Sequence, residues 1–580
     1  MQKTAARLAR LALEELGIRH TFGIPGVHNT ELYDELGASR SITPVLVAHE
    51  CGGAFMADAV SRTGAGIGVL AIVPAAGVTH AASGIGEAFL DGIPMLVIAG
   101  GVRRDLGRAY QLHDMDQHAL LAPITKARWR VEKHADVIPV IHEAYRVATS
   151  GEPGPVFVEI PVDLQLKPGD AGDPPEFAPA APAGHRADAA DIGRAAELLR
   201  GAKHPAIFCG WGAVDATAEL IAIAELLGAP VSTTLQGLSA FPGNHRLHAG
   251  FALGRAAVPA VENAFSDCDA MLAVGTRFAE IPTGSYGWEP PADLVHVDIN
   301  PRVFGANYQA AVALEGDAGA VLAALRDALG GTAQSARAAA VAASIAKDKQ
   351  SYRDEWLAHD SQGRVNPQRF FNALRARLPD DGIVVADDGN HTFLVAELMP
   401  IHAPRCYFSP SDFNSMGYCI PGAIGAKLAR PERSVVGIVG DGAARMTGLE
   451  MATAAAQRAG VAWFVFNDGE LAQIAQAQET PYNRKTCTVL PELDFEGLAR
   501  ASRVGYRLMR DDGDIDDVVN DALACAERGV PVLVDVRIDY SKRTRFTEGV
   551  IKTNLKRFGL ADQARLVGRA LWRRIAGQGT

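Results

Sequence analysis

The chain of 580 residues is poor in cysteine and carries no excess of positive charge. Its seven cysteines are odd in number and form no CxxC pair, which argues against a disulfide framework or a structural zinc site and favours a reducing, cytoplasmic location. Against 56 basic residues stand 67 acidic ones, giving a net charge of −11, so we expect no non-specific nucleic-acid binding.

Long apolar runs are also missing. The longest weakly apolar stretch, residues 66–86, consists largely of alanine and glycine and is interrupted by polar residues, so we expect no membrane span. The N-terminal residues lack the apolar core of a signal peptide. Their leucines at positions 8, 11, 13 and 16, set among arginine and glutamate, predict an amphipathic first helix.

What the sequence does contain is an alternation of short β-branched runs with segments of helical period. Composition is typical of a globular protein, with 48% apolar and 21% charged residues. Short apolar runs between helices predict parallel strands buried on both faces, and hence an α/β fold. The predicted strands lie at residues 67–73, 95–100, 156–160, 206–210, 271–275, 294–299, 383–386, 435–440, 463–467 and 532–536.

Two shifts in composition divide the chain. Residues 167–187 are rich in proline, glycine and alanine and predict an extended connection, while the Ala-rich residues 331–363 predict a helical linker. At roughly 100–200 residues per domain, the length fits three or more domains. The division predicts three α/β domains of similar size, at 1–165, 190–330 and 364–540.

The last segment, residues 541–580, is a basic tail. It carries ten basic and two acidic side chains, a net charge of +8 that leaves −19 on the rest of the chain. We expect it to dock as a helix on its own acidic body or on a neighbouring subunit, with a polyanion site as the alternative.

The strongest local motif is the run VVGIVGDG at residues 435–442, followed by a helical segment. Small residues let backbone N–H groups approach a phosphate, and a helix start favours anions. Asp441 adds a hard oxygen ligand, and a second strand ends 27 residues later at Asp468. Two strand ends of this kind can hold Mg²⁺ against a diphosphate. An Asp-Gly turn alone is common, so the prediction depends on its combination with the following helical segment and the second strand end.

This spacing resembles the thiamine diphosphate signature, and the resemblance extends along the chain. His49-Glu50 followed by a helical AFMADAVSR is similar to the cofactor-activating glutamate motif. The order of motifs over most of residues 1–540 resembles the acetolactate synthase-like thiamine diphosphate enzymes. Further matching stretches lie at residues 84–94, 110–126, 269–278, 294–301, 388–391 and 417–426.

The resemblance implies three doubly wound domains (pyrimidine-binding, central and diphosphate-binding) and a homodimer or homotetramer. It implies that Glu50 hydrogen-bonds the cofactor's pyrimidine, that Gln111 and His113 face a small 2-oxo acid substrate, and that Met416 lies under the cofactor's bend. For His113 and Met416 a plain structural role stays open. The residues implied at the diphosphate and at Mg²⁺ are Gly389, Asn390, His391, Asp441, Gly442, Ala443, Asp468 and the backbone carbonyl of Glu470.

Several positions depart from the biosynthetic members of this family. Asp468 stands where many relatives have asparagine, and residues 481–486, PYNRKT, resemble catabolic, FAD-free acetolactate synthases. Ala477 takes the place of a pocket-shaping tryptophan, and the stretch RFAEI at 277–281 lacks the second arginine of an FAD-associated motif. We therefore do not expect FAD. A lone Gly210-Trp211-Gly212 does not make an NAD site.

The resemblance favours decarboxylation of a 2-oxo acid with carboligation, of acetolactate synthase type. The alternative is a simple decarboxylase that releases an aldehyde, because residues 22–33, FGIPGVHNTELY, also resemble decarboxylases of longer, basic 2-oxo acids. A relative that kept the fold and lost the chemistry is a third reading. The joint presence of Glu50, Asp441 and Asp468 argues against it.

Overall fold

Three parallel sheets of six strands each organise the described part of the chain, which in this computed structural model comprises residues 2–173, 176–178, 184 and 186–575. Each sheet lies in one of the three predicted blocks, with helices packed around it, so the predicted α/β class is confirmed. The limits of the blocks stay predictions. All ten predicted apolar runs overlap strands, because doubly covered strands must be apolar along their whole length.

The first domain begins with the predicted amphipathic helix, whose first turn Thr4 caps by accepting the Arg7 N–H at 3.2 Å. Its elements are β1 (Gln2–Lys3), α1 (Ala5–Glu15), β2 (His20–Gly23), α2 (Thr30–Gly37), β3 (Thr43–Leu46), α3 (Glu50–Arg62), β4 (Gly68–Ile72), α4 (Ala76–Leu90), β5 (Met95–Gly101), α5 (Gln117–Leu121), β6 (Arg128–Arg130), α6 (Val137–Thr149), β7 (Pro155–Pro161), α7 (Val162–Leu166) and β8 (Gly169–Asp170). The sheet order is β3-β2-β4-β5-β7-β6, and β1 pairs separately with β8.

The second domain has the sheet order β11-β10-β9-β12-β13-β14. Its elements, with the connecting helix α12, are α8 (Ala189–Gly201), β9 (Pro205–Cys209), α9 (Thr217–Leu227), β10 (Val231–Thr233), β11 (His248–Phe251), α10 (Pro259–Ala264), β12 (Ala270–Val274), β13 (Asp293–Asp298), β14 (Val312–Glu315), α11 (Ala318–Leu329) and α12 (Ser335–Leu357). The helical linker expected within 331–363 is therefore present, whereas the connection at 167–187 lies partly outside the described residues.

The third domain has the sheet order β16-β15-β17-β18-β20-β19, which repeats the order of the first. Its elements are α13 (Pro367–Arg377), β15 (Ile383–Ala386), α14 (Asn390–Leu398), β16 (Tyr407–Phe408), α15 (Cys419–Ala429), β17 (Val435–Gly440), α16 (Asp441–Thr447), α17 (Met451–Gln457), β18 (Val461–Phe466), α18 (Ala472–Tyr482), α19 (Phe495–Ala501), β19 (Gly505–Met509), α20 (Ile515–Glu527) and β20 (Val532–Val536). The strand order reverses between β15 and β17, which opens a crevice at their carboxyl ends.

The basic tail forms α21 (Arg545–Arg557) and α22 (Leu560–Ile575), up to the end of the described residues. The tail docks on the acidic body of its own chain, which is one of the two placements expected from the sequence. Arg545 pairs with Glu262 at 2.9 Å, and Lys542 pairs with Glu355 at 2.6 Å. The Glu397 carboxylate accepts the N–H groups of Arg545 and Phe546 at 3.1 and 2.8 Å, which anchors the start of α21.

None of the described helices combines the length and the apolar character that a bilayer crossing requires.

A buried cation joins the three domains. Arg62, at the end of α3, is 1% exposed and donates to Asp58 at 2.6 Å and to Asp91 at 2.7 Å. Tyr418 of the third domain donates to the same Asp58 at 2.6 Å, and the guanidinium lies 5.7 Å from the ring of Trp211 in the second domain. One charged group thus fixes contacts to all three domains.

We expect Arg62→Met to lower the free energy of unfolding by about 3–5 kcal/mol, because two buried carboxylates lose their counter-charge. The measurement is the urea midpoint followed by circular dichroism. Arg326→Met is the matched control, since Arg326 forms an exposed pair with Asp327 at 3.0 Å and such pairs contribute little. Equal midpoints for the two variants would contradict the role of Arg62.

Candidate functional site

A cavity of about 180 Å³ opens at the carboxyl ends of β15, β17 and β18. This is the reversal point of the third sheet, where open α/β sheets bind their ligands. Every residue that the sequence assigned to the diphosphate and to Mg²⁺ lines this one space, together with Met416: Gly389, Asn390, His391, Met416, Asp441, Gly442, Ala443, Asp468 and Glu470.

The ends of β17 and β18 are tied together by the Asp441 carboxylate. Its Oδ1 accepts the N–H of Gly442 at 2.9 Å, and its Oδ2 accepts the N–H of Gly469 at 3.0 Å. Asp468 lies beside it and accepts the N–H of Glu470 at 3.3 Å. Burial raises the pKa of Asp441 to about 6, and burial together with the Asp441 charge raises the pKa of Asp468 to about 7.

These groups fit a magnesium site. A divalent cation stabilises two neighbouring carboxylates, here the buried Asp441 and the half-buried Asp468, and Mg²⁺ prefers such hard oxygen ligands. The Glu470 side chain is already neutralised by Lys485, with N–O distances of 2.7 and 2.8 Å. Only the backbone carbonyl of Glu470 therefore remains for the Mg²⁺-binding role that the resemblance implies.

His391 fits a place beside the diphosphate. Its ring lies against Gly389 and Gly440, where an added Cβ would approach it to 2.6 and 2.9 Å, so only glycine leaves room on these two sides. Gly389 also has φ +145°, a conformation that favours glycine. Burial lowers the pKa of His391 to about 3, so the ring is neutral, and its buried Nε2 lacks a partner among the described residues.

Sequence reasoning missed other residues of the wall. Asn414, Tyr540 and the first turn of α18 line the same cavity, and the buried Tyr540 hydroxyl has no partner in the described part of the chain. Asn414 belongs to the Asn-Ser pair that precedes Met416 and could have been found there. Tyr540 follows β20 without any recognisable motif.

Glu50 is buried at the start of α3, in another part of the chain. Its Oε2 accepts a hydrogen bond from His80 Nδ1 at 3.0 Å. The segment before it is held by Glu450, which accepts the N–H groups of Ala48 and His49 at 3.1 and 3.0 Å. Among the described residues of a single chain, Glu50 is not part of the cavity wall.

Glu50 also belongs to a second group of possible metal ligands. The ligand atoms of His49, Glu50 and His80 lie within 4.8 Å of one another. Two imidazole nitrogens with one carboxylate suit transition metals better than magnesium. The magnesium assignment therefore rests with Asp441 and Asp468.

Gln111 and His113 also lie outside the cavity wall. Gln111 Nε2 donates to the carbonyls of Arg103 and Arg108 at 2.8 and 3.3 Å, within its own loop. His113 has φ +67°, and its ring centroid lies 5.0 Å from that of His28. Burial, followed by the nearby His113, lowers the pKa of His28, and the Nδ1 atoms of both rings are buried without a described partner. His28 was missed, although residues 22–33 contain it.

The second domain has its own crevice, of about 100 Å³, at the reversal point between β9 and β12. Residues 210–212 lie there, together with Arg277. The Arg277 guanidinium pairs with Asp412 at 2.5 Å and with Glu152 at 3.4 Å, so it links the second domain to the third and the first. That the chain works without FAD stays a prediction.

We expect Asp468→Asn to raise the melting temperature of metal-free protein by about 2 °C, because one of two neighbouring carboxylates that repel each other is removed. The same change should weaken Mg²⁺ binding, read as a smaller thermal shift on adding MgCl₂. Glu479→Gln, at an exposed position of α18, serves as the control and should change neither value. An unchanged or lower melting temperature in EDTA would show that the two carboxylates do not oppose each other.

Three family models match the chain in order. The model described as the thiamine pyrophosphate enzyme N-terminal TPP binding domain matches residues 3–120. The central domain model matches residues 192–325, and the C-terminal TPP binding domain model matches residues 387–536. Together the three models match more than half of the chain.

Relatives match over nearly their whole length. An acetolactate synthase of Mycobacterium bovis is 33% identical over 551 residues, covering 92% of this chain and 88% of the relative. Acetolactate synthase isozyme 3 large subunit of Escherichia coli is 30% identical over 560 residues, covering 93% and 95%. A probable acetolactate synthase large subunit of Methanocaldococcus jannaschii is 30% identical over 553 residues. The chain therefore belongs to the acetolactate synthase-like family of thiamine pyrophosphate-dependent enzymes.

Proposed function

We propose that this enzyme uses thiamine diphosphate with Mg²⁺ to decarboxylate a small 2-oxo acid and to join the product to a second carbonyl compound, as acetolactate synthases do. The cavity of the third domain supports this best, because residues assigned separately from sequence line one space there. We further propose a cytoplasmic enzyme, in keeping with seven cysteines that are all free thiols.

At the metal end of the cavity, charged groups would bind Mg²⁺ and, through it, the cofactor. Asp441 and Asp468 would hold Mg²⁺ together with the backbone carbonyl of Glu470, and the metal would in turn hold the diphosphate oxygens. Asp441 is already fixed by the N–H groups of Gly442 and Gly469, so little reordering is needed on binding.

The rest of the cavity would position the cofactor by shape. Gly389, Asn390, Gly442 and Ala443 have small or short side chains at the diphosphate, and the neutral His391 ring adds a hydrogen-bonding nitrogen. Met416, on the wall, would support the cofactor's bend. These roles rest on the position of each residue at the cavity and on the family resemblance.

When bound, thiamine diphosphate supplies a carbon nucleophile that adds to the 2-oxo acid and an electron sink for the pair released with carbon dioxide. Glu50 would hold a proton between its carboxylate and the pyrimidine nitrogen. His80, which donates to Glu50 Oε2 at 3.0 Å, would keep that carboxylate oriented.

The position of Glu50 supports a homodimer, or a tetramer built from such dimers. Since Glu50 lies outside the cavity wall of its own chain, we propose that it reaches the third-domain cavity of a second copy. Two-fold symmetry then gives two equal sites, each made from both subunits.

A simple decarboxylase is the second candidate, and the His28–His113 pair favours it. Two imidazoles whose buried Nδ1 atoms lack described partners could deliver a proton to the substrate-derived carbon and release an aldehyde. In carboligation, by contrast, this carbon must react with a second carbonyl compound before it is protonated.

Mixed dimers test the shared site. Glu50→Gln and Asp441→Ala should each abolish activity, while dimers re-formed from both variants should regain roughly one quarter of wild-type activity, because half are mixed and each mixed dimer has one intact site of two. Steady-state turnover of the 2-oxo acid is the measurement. A chain carrying both substitutions, mixed with either single variant, must stay inactive. If mixed dimers are verified and still lack activity, Glu50 and Asp441 either act within one chain or take no part in catalysis.

Product analysis separates the two candidates. With pyruvate, thiamine diphosphate and Mg²⁺, we expect acetolactate as the main product, measured by chromatography. Acetaldehyde as the main product, or carbon dioxide from other 2-oxo acids only, would contradict carboligation and select the decarboxylase. His113→Asn should then lower aldehyde formation about a hundredfold, the usual contribution of a proton donor.

A further inference from the structure

A further pocket, between the second and third domains, lies outside the candidate site. It measures about 310 Å³ and is bounded by the second domain, by the connecting helix α12 and by the end of α14. It shares no wall residue with the cofactor cavity. Nothing in the proposed reaction uses it.

A lysine without a counter-charge forms part of its wall. Lys349, on α12, donates from Nζ to His248 Nδ1 at 3.1 Å. The ammonium forms no ion pair with a carboxylate of the described residues, and the neighbouring Arg353 adds a second positive charge. Burial, followed by Arg353, lowers the pKa of Lys349 to about 8, so at neutral pH the group still carries most of its charge.

His248 has a hydrogen-bond donor without a partner among the described residues. It is 8% exposed and neutral, because burial holds its pKa well below the ordinary value. Since Nδ1 accepts from Lys349, Nε2 carries the hydrogen, and this N–H has no partner among the described residues. Buried polar groups are normally paired, so the pocket has an ammonium without a counter-charge and an N–H donor without an acceptor.

The carboxylates of the wall are already engaged elsewhere. Asp348 accepts from Asn263 at 3.0 Å. Glu397 accepts from the Tyr352 hydroxyl at 2.5 Å and from the first backbone N–H groups of α21. Turning Glu397 to Lys349 would break three hydrogen bonds and turning Asp348 would break one, which favours a carboxylate from a bound molecule as the partner of Lys349.

The remaining wall is largely apolar. It is made by Leu238, Val258, Leu398, Met399 and Ile401. A pocket of this size and character fits a small molecule with a short apolar body and one anionic end.

We propose that this pocket is a binding site for a small monocarboxylate with a short apolar body, whose carboxylate pairs with the Lys349 ammonium. The site is coupled to the cofactor cavity through α14, a claim that rests on the proposed function. Asn390 and His391, at the start of this helix, line the cofactor cavity, while Ala396, Glu397 and Leu398, at its end, line the pocket. A ligand that moves one end of so short a helix displaces the other.

The test uses the full-length protein and 3-methylbutanoate, which lacks the 2-oxo group and cannot enter the proposed reaction. We expect a dissociation constant of about 0.1–1 mM by calorimetry, as suits so few atoms. Lys349→Met should weaken binding at least about tenfold, the effect of losing a charge-assisted hydrogen bond. Lys347→Met, at an exposed position of the same helix, should leave it unchanged.

A second comparison uses only the wild-type protein and so does not depend on how a variant folds. The neutral analogue 3-methylbutanamide should bind at least about tenfold more weakly than the acid. Equal binding of acid and amide, or of the Lys349 and Lys347 variants, overturns the site, and so does the absence of binding.

The coupling has its own readout. Saturating 3-methylbutanoate should change the dissociation constant of thiamine diphosphate at least about fivefold, and an unchanged constant overturns the coupling. If thiamine diphosphate does not bind at all, the proposed function fails, while binding of the acid to cofactor-free protein still decides the pocket.

Discussion

The carboxyl ends of β15, β17 and β18 meet at one edge of the third sheet, and the whole candidate site depends on this constraint. Parallel strands hydrogen-bonded side by side must deliver their following residues to the same place. The run ending in Gly440, the run ending before Asn467 and the loop after Ala386 therefore converge, although up to 80 residues separate them. The cavity, the paired carboxylates and the buried imidazole all follow from that convergence.

The same convergence of strand ends has an electrostatic cost, and this cost indicates the chemistry of the site. The half-buried Asp468 is placed beside the buried Asp441, and the Asp441 charge adds to burial in raising the pKa of Asp468. A protein that kept them only for stability would do better with neutral side chains. In the function that we propose, a bound Mg²⁺ offsets this repulsion and holds the diphosphate of the cofactor.

The first domain packs against the third domain through a different set of contacts. Helix α3 packs so closely on α15 that an added Cβ at Gly425 would lie 2.2 Å from the carbonyl oxygen of Met56. Arg62, at the far end of α3, contacts the third domain through Asp58 and Tyr418 and the second domain through the ring of Trp211. The glutamate at the start of α3 is thus held by the body of its own chain, and we propose that a second copy brings this group to the cavity.

Sequence predicted the interior strands and the diphosphate end of the site well, because both depend on local signals. A strand covered on both faces must be apolar throughout, as β5 and β17 are, and Gly440-Asp441-Gly442 is a contiguous motif. Edge strands such as β6 and β19 were missed because their partial exposure removes that signal. Tyr540, His28 and the Lys349–His248 pair were missed because each depends on segments brought together only by the tertiary fold.

The most direct test of the central claim is a crystal structure of the protein with thiamine diphosphate and Mg²⁺ bound. The account predicts a metal at about 2.0–2.1 Å from carboxylate oxygens of Asp441 and Asp468, with the pyrimidine ring against Glu50 of the second copy. A cofactor bound outside the third-domain cavity, or a pyrimidine far from Glu50 of either copy, would contradict it.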